Sequence, residues 1–486
     1  MKKMLTNIVM NALYQALIIL IPIITIPYVA RVLGASTLGK NTSITSMSLF
    51  LGYIVLMGLA QLGPKEISQA EEEKRYEVFK KLWHIQLMMG ILVTSLFTCI
   101  TFFSEDRILW WTQIPYLASV ILDISWLFIG LEQVKKVVIR NTSVKLLSLV
   151  LIFILVRQEN DLWLYLLINS LSVAFANLLF WIDVNHNFPK HTQKNKIAIK
   201  ASKIYIGSAL ILLLPQLAVQ IYTSFDKVLV GFMVTSAELS YYDQSQKIAR
   251  IVLAIITSIS VVLMPMVAKL DKEKGNTEKV QNLLKYSLDY TLIGALLFTA
   301  LITLNADIFV PWFLGKEFIP MIQHMKWVSF IIIPVAYGGV FANQFTLAKG
   351  LYKSYSIPFI IGALTNITLN LLLTSLMGSF GATMALIITE CMVCFLRIFL
   401  IRKQMEFKIF FKGQLQIVIC FLLTCGLFSH FRINLSNALP TLIINAILQS
   451  LFFVFLLLII TNRVKTDLAK IFSLKKKNKS QKKEGS

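Results

Sequence analysis

Residues 7–33 read NIVMNALYQALIILIPIITIPYVARVL, and no charged side chain interrupts Leu5–Ala30. About 20 apolar residues in an α-helix cross the ~30 Å hydrocarbon core of a bilayer. Within lipid, a helix also pairs its own backbone N–H and C=O groups without help from water. The stretch therefore reads as a membrane-spanning helix. The preceding MKKM has the look of a signal-peptide start. However, the apolar run is longer than the ~7–15 residues of a signal core, and no small-x-small cleavage site follows, so an uncleaved first helix is expected.

Working outward, runs of the same kind recur at 40–63, 82–103, 108–131, 141–157, 161–182, 204–232, 241–268, 283–304, 324–348, 356–377, 381–401, 411–430 and 438–461. No strand-like alternation interrupts them, and no segment between them is long enough for a soluble domain. Composition agrees, with 56% hydrophobic residues, 15% charged residues and a mean hydropathy of +0.71. Soluble domains average about 25% charged residues, so this chain is too apolar for water, and collagen, disorder, coiled coil and disulfide scaffold are excluded too. The expectation is an all-α polytopic membrane protein of about fourteen helices.

The charges test that reading independently. The chain holds 47 Lys+Arg against 25 Asp+Glu, a formal +22 that in a soluble protein would suggest nucleic acid. Alternate connections instead collect the cations. Lys65, Lys74, Arg75, Lys80 and Lys81 lie in the second, Lys135, Lys136 and Arg140 in the fourth, and five lysines from Lys190 to Lys203 in the sixth. The eighth, tenth and twelfth continue the pattern. With Lys2, Lys3 and nine more between Arg463 and Lys483, these segments hold about 34 of the 47. The other side keeps Arg31, Lys40, Arg107, Arg157, Lys316 and Arg432. Cytoplasmic loops attract Lys and Arg, so both termini are expected in the cytoplasm, with no nucleic-acid partner. The like-charged tail at 462–486 reads as a solvated topology anchor, and anionic membrane lipid is its natural contact.

The chain also repeats itself weakly. Residues 31–47 (RVLGASTLGKNTSITSM) align with 230–248 (VGFMVTSAELSYYDQSQKI) at an offset of about 201, which sets Gly39 against Ser240 and Asn41 against Tyr242. Six helices per repeat is an even number, so the halves insert in the same sense. A parallel repeat then places a pseudo-twofold axis along the membrane normal and a cavity between two bundles. The expected organisation is a six-helix bundle at 1–183, a basic cytoplasmic linker at 184–203, a second six-helix bundle at 204–403, helices 13 and 14 at 404–461, and the tail.

Enzymatic motifs fail on inspection. Gly34–Asn41 nearly spells a P-loop, but Asn41 replaces the Mg²⁺-binding hydroxyl, no strand precedes it, and it falls on the outer side. Cys391 and Cys394 have redox spacing inside an apolar helix without His or Cys partners. No Ser/His/Asp set, zinc-protease motif or placed pair of carboxylates occurs, and no cofactor is implied. Charges inside spans carry more weight, because each costs at least about 2.5–3.5 kcal/mol at a helix centre and should face a cavity or a partner. Lys247 and Arg250 are i,i+3 on one helix face and present two cations to an anion, with Asp243 four residues before Lys247 as the competing partner. Arg31 and Lys40 flank the corresponding junction of the first half. Asp123, Asp226 and Glu390 are candidates for a coupling-ion or proton site, for Na⁺ or H⁺. Lys145, Lys285, Asp289, Lys326 and Arg397 read as groups snorkelling to the headgroups. Pro22, Pro27, Pro215 and Pro334 remove backbone hydrogen bonds mid-span, where helices can bend.

Four stretches together resemble a known family: PIITIPYVARVLGASTLG at 22–39, GLAQLGPKEIS at 58–68, LDISWLFIGLEQVKKVVIRNTSVK at 122–145 and NITLNLLLTSLMGSFGATMALIITE at 366–390. The chain resembles the multidrug/oligosaccharidyl-lipid/polysaccharide exporter superfamily. Within it, it is similar to the bacterial polysaccharide flippases of O-antigen, capsule and teichoic acid assembly, most of all the streptococcal teichoic acid repeat-unit flippases. Ser240 departs from the family, which often has Gly there. The resemblance implies a cell-membrane transporter that carries an undecaprenyl-pyrophosphate-linked oligosaccharide from the inner to the outer leaflet, working beside wall-polymer assembly enzymes. Arg31, Lys40, Lys247, Arg250 and Lys145 would then hold pyrophosphate and glycan, with Trp126, Tyr222, Tyr241 and Tyr242 as sugar-stacking surfaces; the two last also suit an interfacial aromatic belt. A cation-coupled multidrug exporter should line its path with acids, whereas the best face here is basic. A membrane glycosyltransferase or polymerase would need a large outer loop with catalytic acids, and the outer loops are short.

Overall fold

The computed structural model describes residues 2–188, 203–272, 277–404 and 407–461, and among them every regular element is helical. The tail at 462–486 and most of the linker at 184–203 lie outside these residues. Eleven stretches of the described residues are long and apolar enough to cross a membrane. Two of them, Leu20–Gln69 and Tyr352–Ile401, are 50 residues each. Fifty helical residues span ~75 Å, more than twice a bilayer's hydrocarbon core. Each is accordingly broken inside. Helix α1 (Lys2–Leu56) breaks at Gly34 (φ 75°, ψ 173°), and the long helix Tyr352–Ile401 breaks at Gly378 (φ 61°, ψ −147°). Both conformations belong to a region that glycine alone occupies without strain. Where two helices and a loop were expected, a single glycine turns the chain.

The chain forms two compact units, residues 1–244 with 359–385, and residues 245–358 with 386–486. In the first, α1 is followed by α2 (Leu59–Gln69), α3 (Arg75–Phe102), α4 (Arg107–Trp111), α5 (Ile114–Ile121), α6 (Ser125–Gly130), α7 (Val134–Leu155), α8 (Leu162–Asn187), α9 (Lys203–Gln220) and α10 (Asp226–Gly231). The continuous helix expected over 108–131 is thus three short ones. Side chains satisfy the carbonyls freed between α5 and α6. Gln86 Nε2 donates to Val120 at 2.5 Å and Asp123 at 2.9 Å, Trp83 Nε1 to Ile121 at 3.0 Å, and Trp181 Nε1 to Leu122 at 2.9 Å. A break at membrane depth persists only where such partners exist.

The same region explains two of the family-like stretches. A Cβ on Gly63 would collide with the Trp126 ring, and one on Gly130 would meet Ile67 Cβ at 2.8 Å and the Pro64 carbonyl at 3.0 Å. The glycines let α2 and α6 pack backbone to side chain around a core that includes Leu62, Phe79 and Phe128.

In the second unit, the long helix α11 (Ser236–Lys272) runs on from Ser245, followed by α12 (Thr277–Phe313), α13 (Met321–Val328) and α14 (Ile332–Val340). Helix α15 (Tyr352–Ile401) contributes residues 386–401, and α16 (Phe407–Phe411), α17 (Gln414–His430) and α18 (Ala438–Ile460) complete it. A core of Leu284, Leu288, Leu292, Val340, Phe421 and Phe453 joins α12, α14, α17 and α18. Polar clasps reinforce it. Lys285 Nζ donates to Asp289 Oδ1 at 2.6 Å and to the carbonyls of Phe410 and Lys412 at 2.8 Å each, while Gln414 Nε2 donates to the same Asp289 oxygen at 3.2 Å. Lys285 and Asp289, expected at the headgroups, are instead a buried pair, each about 5% exposed. The two carbonyls at the end of α16 lack helical partners, and the ammonium supplies them. Asn305 Nδ2 donates to Gln449 at 2.7 Å, and Asp307 accepts from both Lys326 and Arg432.

Candidate functional site

Arg250 lies on α11 and Glu390 and Arg397 lie on α15, all within the second unit. Glu390 is 5% exposed and sits in the field of Arg250 first and Arg397 second. Two guanidiniums thus act electrostatically on one carboxyl group, so cations outnumber acids in the group. Arg250 Nη2 is buried with no hydrogen-bond partner among the described residues. A buried, unmet N–H of a charged group is costly, and an anion answers both its charge and its hydrogen bonding. Arg397, expected to snorkel, is also buried at 8% exposure. It owes its place to Gly338, since a Cβ there would come within 3.3 Å of Arg397 Nη1 and 3.2 Å of Cys394 Sγ. Apolar packing of Ala249, Leu253, Ala336 and Leu386 surrounds the region and keeps its dielectric low. Lys247, one turn before Arg250, is half-buried.

A second charged group occupies the first unit. Asp226, at the start of α10, is 1% exposed and accepts from the Tyr242 hydroxyl at 2.8 Å. A five-residue π-helical segment, Ile221–Phe225, precedes it. Such bulges are rare and concentrate at functional sites. The neighbouring Lys227 Nζ pairs with Asp243 Oδ1 at 2.8 Å, with the two side chains 12% and 1% exposed. Thr42 Oγ1 donates to the other oxygen of Asp243 at 2.8 Å. On 359–385, Asn370 Nδ2 donates to Asn366 Oδ1 at 3.0 Å, and both residues are fully buried. Asn370 Oδ1 and Thr374 Oγ1, on the same helix face, find no protein partner among the described residues. Among those residues no group of three His, Cys, Asp or Glu side chains could hold a metal ion.

The remaining sequence candidates fall elsewhere. Arg31 is exposed, three residues before the Gly34 break. Lys40 forms an exposed pair with Asp106 at 3.1 Å. Lys145 is on an exposed stretch of α7 beside Leu146 and Leu147. Asp123 Oδ1 accepts from the Ser125 N–H at 2.9 Å, in the turn that leads into α6. Trp126 corrects the expectation of a sugar-stacking surface. It is 1% exposed, donates to Gln86 Oε1 at 3.1 Å and packs against Phe79, because the α5–α6 break needs that ring to fill it. Tyr222 and Tyr242 are likewise buried, at 6% and 0% exposure, and Tyr242 serves Asp226 rather than the aromatic belt. Sequence reasoning missed the partnership of Thr42 with Asp243 and the inclusion of Arg397. The first was within reach, since 42 and 243 differ by the repeat's own offset of 201.

Residues 4–271, more than half of the chain, match the model of the polysaccharide biosynthesis protein family. The chain belongs to that family. Two relatives are provisionally named O-antigen transporters. The one from Shigella dysenteriae is 22% identical over 80% of this chain and 97% of its own length, and the one from Escherichia coli strain K12 is 22% identical over 82% and 96%. Among solved structures, the lipid II flippase MurJ in an inward closed conformation superposes with a TM-score of 0.74 at 15% identity, covering 95% of this chain and 99% of its own. An inward-facing multidrug resistance MATE family transporter of the MOP superfamily gives 0.61 at 15% identity, with 80% and 94% covered. For this member of the polysaccharide biosynthesis family, the two likenesses show the fold.

Proposed function

We propose that the chain is a transporter rather than an enzyme, a flippase that carries a polyprenyl-pyrophosphate-linked oligosaccharide from the inner to the outer leaflet of a bacterial cell membrane. The observation that carries this reading is the buried cluster of Arg250, Arg397 and Glu390. It holds excess positive charge and an unmet guanidinium N–H, as a diphosphate headgroup requires. Family membership and the names of the relatives agree with a lipid-linked glycan as cargo. In this reading the chain crosses the membrane fourteen times with both termini cytoplasmic, and bundles 1–183 and 204–403 form a parallel repeat. The carrier lipid is undecaprenyl, the glycan is a teichoic acid or capsular repeat unit, and wall-polymer assembly enzymes supply and consume it. Of the acids proposed for a coupling ion or proton, Asp226 is supported by its burial and by the π-helical segment before it. A multidrug exporter shares the fold of one structural neighbour, but cationic drugs would meet a basic cluster here.

Depletion of the protein followed by lipid extraction tests the reading. Polyprenyl-linked repeat units are expected to accumulate on the inner leaflet. Normal wall polymer together with altered drug tolerance would overturn it.

A further inference from the structure

Thr42 and Asp243 are bonded at the offset that relates the two repeats. Residues equivalent under a twofold meet only beside the axis, so this contact marks where the two halves touch each other. Three features make it unusual. Thr42 and Asp243 are each 1% exposed, so the hydrogen bond is shielded from competing water. One turn earlier on α1, Gly39 lies flush on Ser236, and a Cβ there would collide with the Ser236 carbonyl. The carboxylate of Asp243 is held from opposite sides, by Lys227 of its own repeat and by Thr42 of the other.

That asymmetry matters for opening. A buried carboxylate stripped of its cation is strongly unfavourable. Here Lys227 and Asp243 stand in one repeat and stay together when the repeats separate. At this contact, opening breaks the hydrogen bond from the neutral Thr42 hydroxyl and the backbone contact at Gly39, beside the Phe50–Phe225 ring contact, and it leaves Asp243 with its cation.

We propose that Asp243, gripped by Lys227 and Thr42, is a latch that holds the outer ends of the two repeats together and releases at Thr42 when the outer face opens. The proposal rests on the transporter reading and on the orientation given by the basic loops.

The test reads accessibility. In a chain whose five native cysteines are replaced, Ser46→Cys places a reporter one turn deeper than Thr42, at a residue 5% exposed. A membrane-impermeant maleimide is applied to intact cells and, separately, to inverted vesicles. Thr42→Val removes the hydroxyl at nearly constant volume and is expected to raise labelling from outside by about tenfold, the loss of one hydrogen bond to a charged group. Thr42→Ser should restore the slow rate, and Gly39→Ala should raise it independently by wedging the contact. Unchanged labelling in both Thr42→Val and Gly39→Ala overturns the latch, and a rise confined to inverted vesicles overturns its outer placement. Labelling needs no substrate, so either result leaves the lipid-accumulation test to decide the cargo separately.

Discussion

Two buried charge clusters in the second unit differ in how completely they are met. The Lys285 ammonium has a carboxylate and two main-chain carbonyls, and Asp289 has Lys285 and Gln414. Gln414 in turn accepts from the Tyr337 hydroxyl at 2.8 Å. Charge there is balanced and its hydrogen bonds run into α14 and the ends of α16 and α17, which is what an architectural clasp looks like. Around Glu390, two guanidiniums act electrostatically on one carboxyl group, and an Arg250 N–H has no partner among the described residues. Burial alone therefore does not separate structure from function in a membrane protein. The state of satisfaction does, because an unmet group is stable only if its partner arrives from outside the fold.

The comparison breaks most visibly at the clasp. Asp289→Ala leaves Lys285 buried without its counter-ion and should lower stability by about 3–5 kcal/mol. Thermal unfolding in detergent reads the loss, and replacing both members with Met and Leu should recover most of it. Arg250→Ala should instead leave the unfolding temperature near wild type while cutting transport at least ~tenfold, against a minor effect of Arg432→Ala at equal expression. Equal transport by these two variants would remove Arg250 from the site. Glu390→Gln sharpens the contrast further. With the internal carboxylate neutralised, the unmet Arg250 guanidinium loses an internal competitor for a headgroup, so diphosphate-lipid affinity should rise by about threefold to tenfold as turnover falls. An unchanged affinity, measured by equilibrium binding to the detergent-solubilised protein, would count against competition between Glu390 and the substrate. Lys40→Ala, which removes an exposed pair with Asp106, should change stability by less than about 1 kcal/mol and transport by less than twofold.

Much of the helical plan is legible in sequence because crossing a bilayer demands long apolar runs, and these are countable without any knowledge of packing. The breaks are less so. Gly34 and Gly378 stand among other glycines, and nothing local distinguishes a glycine that turns the chain from one that allows two helices to touch, as Gly39 and Gly63 do. Charges were readable as costly but not as paired. Lys285 and Asp289 are four residues apart, which hints at a pair, yet the two carbonyls that complete Lys285 come from ~125 residues away. Trp126 shows the opposite limit. Its place in a family-like stretch suggested ligand contact, whereas the structure assigns it to filling a helix break. The offset of 201 at which the two stretches align is also the separation of the bonded pair Thr42 and Asp243.

The glycine breaks have one more consequence, for anyone who wishes to decorate this protein. Where most neighbouring spans are joined by several residues of loop, the two pairs at Gly34 and Gly378 are joined by a single left-handed residue. A tag or reporter inserted there would push apart helices that meet within a turn. The connections around 103–106 and 431–437 are several residues long, so an insertion there need not part helices that meet within a turn, provided it spares Asp106, which pairs with Lys40, and Arg432 and Ile433, which are tied to Asp307 and Asn445.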